Sequence, residues 1–229
     1  MTHEAIQAIF DDWAGSGRAD MMEPRHQNVA EQVIAQMDMR PGMQALDMGC
    51  GTGWATRLLG KSAPGATAVG IDCSPAMVKR AEELHDLTSR ARYMVSQMEQ
   101  VAFKDGRFDR IFSMEALSYA PDMNGVLQEA FRLTKVGGSS HFIIGRYKEC
   151  VPSEGWSGAI GLTMAWLSEE EWRGAMQEAG FSDVQVGRVR AAEGPGEESE
   201  FTPYSTCPDW ESHLTTYESG YLWLKGQRS

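Results

Sequence analysis

The chain has 229 residues, of which 42% are hydrophobic and 9% are aromatic, and its formal net charge is −11. This length and composition predict one folded domain and exclude a disordered protein. The excess of acids disfavours binding to nucleic-acid phosphates and to an anionic membrane surface, so no nucleic-acid partner is expected.

Two further patterns bear on where the chain works. Its apolar runs are shorter than the roughly 20 residues of a membrane span, and its N-terminus lacks the basic start and apolar core of a signal peptide. The cysteines Cys50, Cys73, Cys150 and Cys207 are scattered without a CxxC pair, which indicates reduced thiols and no metal site. We therefore expect a cytoplasmic protein without a membrane span.

Residues 1–40 predict a helical cap or lid. Residues 1–10 form a short helix in this prediction, and His26 to Met37 form an amphipathic one with Val29 and Val33 on its apolar face. The intervening segment, 11–22, shows no clear period and is predicted to be a mobile flap. It could act as a lid or simply pack on the core.

From the turn at Pro41-Gly42 onward, strand and helix patterns alternate. Ser74 is a predicted N-cap, Ser168 and Glu171 form a predicted capping box, and Gly137-Gly138 reads as a helix stop signal. The predicted strands after the first are 66–72, 92–95, 108–114, 139–144, 183–190 and 221–225. The predicted helices are 75–87, 124–133 and 168–179, with another opening at Trp54.

This alternation predicts an α/β fold, a doubly wound and mostly parallel seven-stranded sheet with helices on both faces. Residues 191–211 contain three prolines and are predicted to be a long excursion. The last strand is expected to pair antiparallel, because no clear helix separates it from the sixth. The single domain, 1–229, thus divides into a cap (1–40), a ligand-binding core (41–190) and an excursion with the last strand (191–229).

The most informative stretch is Ala45-Leu46-Asp47-Met48-Gly49-Cys50-Gly51-Thr52-Gly53. Glycines at alternate positions between a strand and a helix let a ligand lie directly on the backbone. Asp47 would repel a pyrophosphate and suits a cation such as an ammonium group. Asp72 ends the next strand, where a carboxylate can accept hydrogen bonds from two ribose hydroxyls. Its alternative role is to cap the following helix.

Residues 45–53 and the segment 69–77 resemble the first two motifs of the class I S-adenosylmethionine-dependent methyltransferases. Segments 93–98 and 108–117 resemble the next two motifs, and 133–138 resembles the segment before the family's fifth strand. The similarity is greatest to the small-molecule branch typified by ubiquinone/menaquinone-biosynthesis methyltransferases, and it covers residues 37–190. It implies a Rossmann-like fold with S-adenosylmethionine as cofactor and S-adenosylhomocysteine as product.

The resemblance also implies a cofactor-binding set. The loop residues would line the methionine portion, Asp72 the ribose, Met77 and Gln97 the adenine, and the end of the fourth strand the sulfonium. Many relatives carry an acid where this chain has Gln97, so the Gln97 oxygen or the Ser96 hydroxyl would accept from the adenine amino group. Met77 and Met98 also fit ordinary core packing. The implied set is Asp47, Gly49, Cys50, Gly51, Gly53, Asp72, Cys73, Met77, Gln97, Met98, Ser113 and Met114.

Methyl transfer requires an acceptor held about 3 Å from the methyl, in line and away from water. An acceptor that is protonated at rest also needs a base, for which Glu115 and Tyr119 are the candidates. Aromatic residues in 145–167 and in the excursion (Tyr204, Trp210, Tyr217) could stack a flat acceptor or cage a cationic amine. The negative net charge favours a cationic or neutral acceptor.

The leading interpretation is a methyltransferase that acts on the N, O or C atom of a small molecule. A protein or RNA acceptor is one alternative, and a non-catalytic S-adenosylmethionine-binding protein is another. A nicotinamide-dependent oxidoreductase is a third, which Asp47 opposes because that cofactor carries a pyrophosphate. A homodimer is left open by the sequence.

Overall fold

The computed structural model describes residues 2–204 and 206–229, and its strands form one seven-stranded sheet of order β3-β2-β1-β4-β5-β7-β6. The strands are β1 Gln44–Met48, β2 Thr67–Asp72, β3 Ala91–Val95, β4 Phe108–Met114, β5 Thr134–Ile144, β6 Ser182–Val189 and β7 Tyr221–Gln227. The α-helices are α1 His3–Gly15, α2 Met22–Gln36, α3 Trp54–Lys61, α4 Pro75–Glu83, α5 Met123–Leu133, α6 Trp156–Ile160, α7 Glu169–Glu178 and α8 Trp210–Ser219. Short 3₁₀ turns lie at Arg18–Met21, Leu117–Tyr119, Val151–Ser153 and Glu198–Glu200.

The sheet is parallel on one side and antiparallel on the other. β1 pairs in parallel with both β2 and β4, and β3 and β5 extend these pairs in parallel. β7 lies between β5 and β6 and is antiparallel to both. The predicted doubly wound sheet with an antiparallel last strand is therefore confirmed. The strand order reverses at β1, where a fold of this kind opens a crevice for ligands.

Each face of the sheet carries its own core. Leu46 packs with residues of α5 and α7, including the fully buried Trp172, whereas its neighbour Ala45 packs with α2 and α3. Phe142 and Ile143 in β5 divide between the two cores in the same way. This alternation follows from the two-residue period of a strand and places helices on both faces.

The structure corrects the prediction for residues 11–22. α1 continues to Gly15, a 3₁₀ turn covers Arg18–Met21, and α2 begins at Met22, so no irregular flap exists there. Trp13 and Ala19 are 7% and 1% exposed and pack in one cluster with Met77 and Trp156. Contacts with distant residues therefore order a segment whose own sequence shows no helical period.

Other element predictions also fail locally. α8 was missed because none of its residues is buried, so it leaves no apolar stripe, although Asp209 caps it by accepting from the Ser212 N–H. Gly137 does not end a helix: α5 runs directly into β5, and Gly137 lies within that strand with φ of +78°. α4 ends at Glu83, earlier than the predicted Leu87, whereas the Ser74 cap and the Ser168–Glu171 capping box are confirmed.

The described ranges, 2–204 and 206–229, contain neither a candidate membrane span nor a candidate metal site. None of the helices there combines the length and the apolar character needed to cross a bilayer. No three His, Cys, Asp or Glu side chains within those ranges come together as metal ligands. The cysteines are all free thiols.

Arg110 on β4 fastens α2 to the sheet. Its guanidinium donates to the backbone carbonyls of Met37, Asp38 and Asp109, and its side chain is only 10% exposed. Helix ends leave carbonyls without partners, and a buried arginine satisfies them here. Arg40 pairs with the same Asp38 from the surface, where its side chain is 68% exposed.

We predict that Arg110→Met lowers the free energy of unfolding by about 1.5–3 kcal/mol, because hydrogen bonds from a charged donor to buried carbonyls are lost. Arg40→Met, the matched control, should change it by no more than about 1 kcal/mol, because exposed ion pairs contribute little. Urea denaturation of both variants measures the difference. Equal losses would show that Arg110 does not fasten α2.

Candidate active site

The glycine loop after β1 is closed by its neighbours. Gly49 and Gly53 both have φ of +76°, a backbone conformation that side chains disfavour. A Cβ on Gly49 would lie 2.2 Å from Ala116 Cβ, and one on Gly53 would lie 2.4 Å from Tyr93 Cε1. The Gly49 and Cys50 N–H groups each donate to the Ile71 carbonyl over 2.9 Å. The loop is thus fixed against β2.

Asp47 is the acid beneath this loop. It is 1% exposed, and its Oδ2 accepts from the Thr56 hydroxyl over 2.6 Å. Burial raises the pKa of Asp47 to about 7, the Thr56 hydrogen bond opposes this shift, and the nearby charge of Asp72 adds to it. A bound cation would favour the ionised carboxylate, so the site suits a ligand with an ammonium group. Thr56 was not anticipated from the sequence.

Asp72 joins three segments at the end of β2. Its Oδ2 accepts from the Gly51 N–H and its Oδ1 from the Ser74 N–H, each over 2.9 Å, and burial raises its pKa. Ser74 itself caps α4 by accepting from the Met77 N–H. Asp72 is therefore not the cap of α4. Each carboxylate oxygen retains a lone pair that can accept a hydroxyl from the cleft.

The cleft continues along the end of β3. Cys73, Met77, Gln97 and Met98 line it, as the sequence predicts. Glu99 lines it too, and its buried Oε1 forms no hydrogen bond with any of the described residues. His3 Nε2 lies 3.9 Å from this oxygen, beyond hydrogen-bond distance, so the oxygen keeps its capacity to accept from an adenine amino group. The sequence prediction did not include Glu99, although an acid two positions after Gln97 could have suggested an acceptor for the adenine amino group.

Two predicted residues do not line the cleft. Ser113 donates its hydroxyl to the Met48 carbonyl over 2.7 Å, so it joins β4 to β1 instead of facing a ligand. Gly53 begins α3 and contacts Tyr93 behind the loop. The other predicted cofactor residues line the cleft, namely Asp47, Gly49, Cys50, Gly51, Asp72, Cys73, Met77, Gln97, Met98 and Met114.

An aromatic compartment, defined by Phe10, Trp13, Tyr119 and Trp156, forms the other end of the cleft. Phe10 packs edge-on against Trp13 and Tyr119, with ring centroids 5.2 and 5.3 Å apart. The Trp156 Nε1–H donates to the Tyr119 hydroxyl over 2.8 Å. The whole cleft encloses ≈ 1230 Å³, including space open to solvent.

Glu115 occupies a strained position where the compartment meets β4. Its φ is +55°, which non-glycine residues rarely adopt and which is often found at functional sites. One carboxylate oxygen accepts from the Gly145 N–H, and the other lies 3.5 Å from Arg146 Nη1. Glu115 is therefore a carboxylate held toward the cleft.

Tyr119 and His26, two further titratable residues of the cleft, stay neutral near pH 7. Burial raises the pKa of Tyr119 to about 12, so its phenol is protonated and does not serve as a base. Burial, together with the charges of Arg25 and Arg146, lowers the pKa of His26 to about 3. His26 Nδ1 lies 3.1 Å from the Tyr221 hydroxyl, a pairing that the sequence could not reveal.

Most aromatics predicted over the strand ends lie elsewhere. Trp156 lines the cleft, but Tyr204 and Trp210 pack around Phe201 and His213 in the excursion. The Tyr217 hydroxyl donates to the Ala191 carbonyl. These three side chains therefore stabilise the excursion instead of binding an acceptor.

Comparison with known proteins agrees with this geometry. A family model described as a methyltransferase domain matches residues 46–142. The chain is 35% identical over 122 residues to the sterol 24-C-methyltransferase of Aspergillus fumigatus, which covers 51% of this chain and 32% of that protein. It is 40% identical over 98 residues to the 2-methyl-6-phytyl-1,4-hydroquinone methyltransferase of Synechocystis, which covers 43% of this chain and 30% of that protein. The chain thus spans about a third of the length of these curated relatives.

Solved structures extend the match to the whole chain. A methyltransferase solved in complex with the Haloferax volcanii Trm112 methyltransferase activator is 31% identical, with a TM-score of 0.88, and covers 96% of this chain and 97% of that one. Geranyl diphosphate C-methyltransferase from Streptomyces coelicolor, at 17% identity and TM-score 0.68 over 93% and 83% of the two chains, shares the fold alone. The chain belongs to the class I S-adenosylmethionine-dependent methyltransferases.

We predict that Asp72→Ala weakens S-adenosylhomocysteine binding roughly 10- to 100-fold, the range expected when hydrogen bonds to a charged group are lost. Titration calorimetry measures the dissociation constant. Asp209→Ala is the control. Asp209 also accepts from a backbone N–H, that of Ser212, but it lies outside the cleft. It should leave the affinity unchanged. Unaltered binding in a folded Asp72→Ala protein would show that Asp72 only supports the loop.

Proposed function

We propose that this chain transfers a methyl group from S-adenosylmethionine to a small-molecule acceptor bound in the aromatic compartment. The observation that carries the proposal is the continuity of the cleft, which joins the glycine loop to a compartment beside Glu115. Residues 1–40 serve as the cap in this proposal, because Trp13 and Arg18 line the cleft from the N-terminal side. Residues 41–190 provide the cofactor-binding core.

The residues present fit the cofactor of the family. Asp47 would hold the ammonium group, Asp72 the ribose hydroxyls, and Glu99 or Gln97 the adenine amino group. The Gly51 backbone leaves room for close approach, because no heavy atom lies within 4 Å of where its Cβ would be. When bound, S-adenosylmethionine supplies a methyl group already activated on a sulfonium. The protein then has to orient the acceptor and exclude water.

Glu115 is the group best suited to take a proton from an acceptor. It is a carboxylate at the carboxyl end of β4, 15% exposed and facing the cleft. Tyr119 was the other candidate, but its raised pKa keeps the phenol protonated. We assign Tyr119 the role of positioning Trp156 through their hydrogen bond.

A screen with isotope-labelled S-adenosylmethionine tests this proposal on amines, phenols, quinols and carboxylic acids. We expect label in at least one small molecule. We expect Glu115→Gln to lower kcat by roughly 10²- to 10⁴-fold, as for loss of a general base, and Tyr119→Phe to lower it by about tenfold or less, as for loss of one neutral hydrogen bond. S-adenosylhomocysteine affinity serves as the folding control for both variants.

The outcomes separate the alternatives. Label in RNA or protein alone would refute the small-molecule acceptor. Tight S-adenosylhomocysteine binding without transfer to any class would favour a non-catalytic binding protein. Full activity of Glu115→Gln would remove Glu115 from the proposed proton path.

We also propose that the chain assembles with a protein activator. Support comes from the 31% identical relative solved with the Trm112 activator. The outer edge of β3 offers a surface, since β3 pairs only with β2 among the described strands. Val95 in β3 is 53% exposed and the nearby Leu87 is 98% exposed. Unpaired strand edges with exposed apolar side chains are sites where another chain can add.

Mixing the chain with a Trm112-type activator, followed by size-exclusion chromatography with light scattering, tests this assembly. We expect a one-to-one complex that Val95→Glu weakens at least tenfold, because a charge replaces an apolar contact at the strand edge. Val136→Glu is the control, since Val136 is 74% exposed outside this edge. Absence of a complex would refute the activator, and a mass of two copies would instead support a homodimer.

A further inference from the structure

Arginines border the aromatic compartment, although the chain as a whole is acidic. Arg18, Arg25 and Arg146 line the cleft, while the net charge of the chain is −11. Within residues 2–204 and 206–229, no carboxylate lies in salt-bridge range of Arg18 or Arg25, and Glu115 is the one partner of Arg146, at 3.5 Å. These three arginines lie in a cleft whose lining also includes the acids Asp47, Asp72, Glu99 and Glu115.

Arg146 is the buried member of this group. It follows β5 by two residues, and its side chain is 16% exposed. Neither Nε nor Nη2 forms a hydrogen bond with any residue that the structure describes, and Nε is buried. A buried charged N–H without an acceptor is unfavourable, and an oxygen from a ligand would relieve it. Nη2 is the guanidinium nitrogen open to a carboxylate or phosphate oxygen, because Nη1 faces Glu115 and Nε is enclosed.

The aromatic faces of the compartment are already covered by cations. The Arg18 guanidinium carbon lies 3.9 Å from the centroid of the Trp13 ring and 5.8 Å from that of Trp156. The Arg146 guanidinium carbon lies 4.6 Å from the Trp156 ring. A second cation would have to displace these guanidinium groups and would be repelled by them. Trp13 and Trp156 are therefore less available to an amine than their side chains alone would suggest.

We propose that the acceptor carries an anionic group, a carboxylate or a phosphate, which the guanidinium of Arg146 binds while Arg18 and Arg25 draw it into the cleft. This inference rests on the proposed function and adds the charge class of its substrate. Glu115 approaches Nη1 of the same guanidinium, so the proposed base and the proposed anion site adjoin. The earlier expectation of a cationic or neutral acceptor, drawn from net charge, is replaced.

A purely structural ion pair with Glu115 is the competing explanation for Arg146. Such a pair uses one guanidinium nitrogen and leaves the Nε and Nη2 edge without an acceptor. Arg18 and Arg25 stack on Trp13 and Tyr204, and neither has a carboxylate partner among the described residues. The two explanations differ in one measurable respect, since only an anion site responds selectively to anionic ligands.

The test compares matched ligands on the protein saturated with S-adenosylhomocysteine. The probes are 3-hydroxybenzoate, 3-hydroxyphenyl phosphate, 3-hydroxybenzyl alcohol and 3-hydroxybenzylamine, and titration calorimetry measures their affinities. We expect one of the two anions to bind at least tenfold more tightly than the alcohol and the amine. The preferred anion identifies the source of the charge as carboxylate or phosphate.

Substitutions then locate the site. Arg146→Met should lower the affinity for the preferred anion at least tenfold and leave the affinity for S-adenosylhomocysteine unchanged, and Arg146→Lys should recover part of it. Arg188→Met is the control. Like Arg146, Arg188 lies over an aromatic ring and pairs with a glutamate, but it lies outside the cleft. It should leave anion binding unchanged.

Three results would overturn the proposal. The first is tighter binding of the amine than of either anion by the unaltered protein, which decides the question even if Arg146→Met fails to fold. The second is equal anion affinity in Arg146→Met and the unaltered protein. The third is loss of S-adenosylhomocysteine binding in Arg146→Met with anion binding retained, which would assign Arg146 to the cofactor. A fourth contrary result, methyl transfer only to amines that carry no anionic group, would refute the anion site while leaving the proposed function intact.

Discussion

The reversal of strand order at β1 is the constraint on which the site depends. The chain builds β2 and β3 on one side of β1 and then returns to place β4 on the other side. The connections on the two sides diverge there, so the carboxyl ends of β1 and β4 border an open crevice. Asp47 near the end of β1 and Glu115 just after β4 therefore line one cleft, although they are far apart in the sequence. Arg146 joins them because β5 runs parallel to β4 and ends at the same edge.

Two buried acids raise the free energy of the ligand-free crevice, because ionising a buried carboxylate is costly. Asp47 and Asp72 are 1% and 8% exposed, and each raises the cost of ionising the other. The structure offsets part of this cost with donors from Thr56, Gly51 and Ser74. These donors hold both carboxylates in fixed orientations before any ligand arrives. A cation beside Asp47 would supply the compensation that neutral donors cannot give.

What the sequence could predict is local. The glycine loop, the Ser74 cap and the Ser168–Glu171 box are recognisable because their chemistry lies within a few neighbouring residues. The sheet followed from the alternation of apolar runs. α8 could not be predicted, because it buries no side chain and so has no apolar period.

The other half of the cleft depends on contacts between distant segments. His26 with Tyr221, and Trp13 with Arg18 and Trp156, meet only after the chain has folded. No spacing in the sequence records such pairings. The sequence therefore predicted most of the residues that line the glycine-loop end of the cleft, without Glu99, and did not predict the contacts of the aromatic compartment.

Net charge is a weak guide to the acceptor for a physical reason. Exposed charges are screened over about 8–10 Å at physiological ionic strength, so acids on the outer surface contribute little inside a cleft. A ligand there interacts mainly with the few groups that line its walls, where screening is weak. Arg146 is one of these groups, whereas acids such as Glu197 and Glu198 lie on the distant excursion outside the cleft. A ligand in the aromatic compartment meets the guanidinium groups of Arg18 and Arg146 at Trp13 and Trp156, whatever the net charge of the chain.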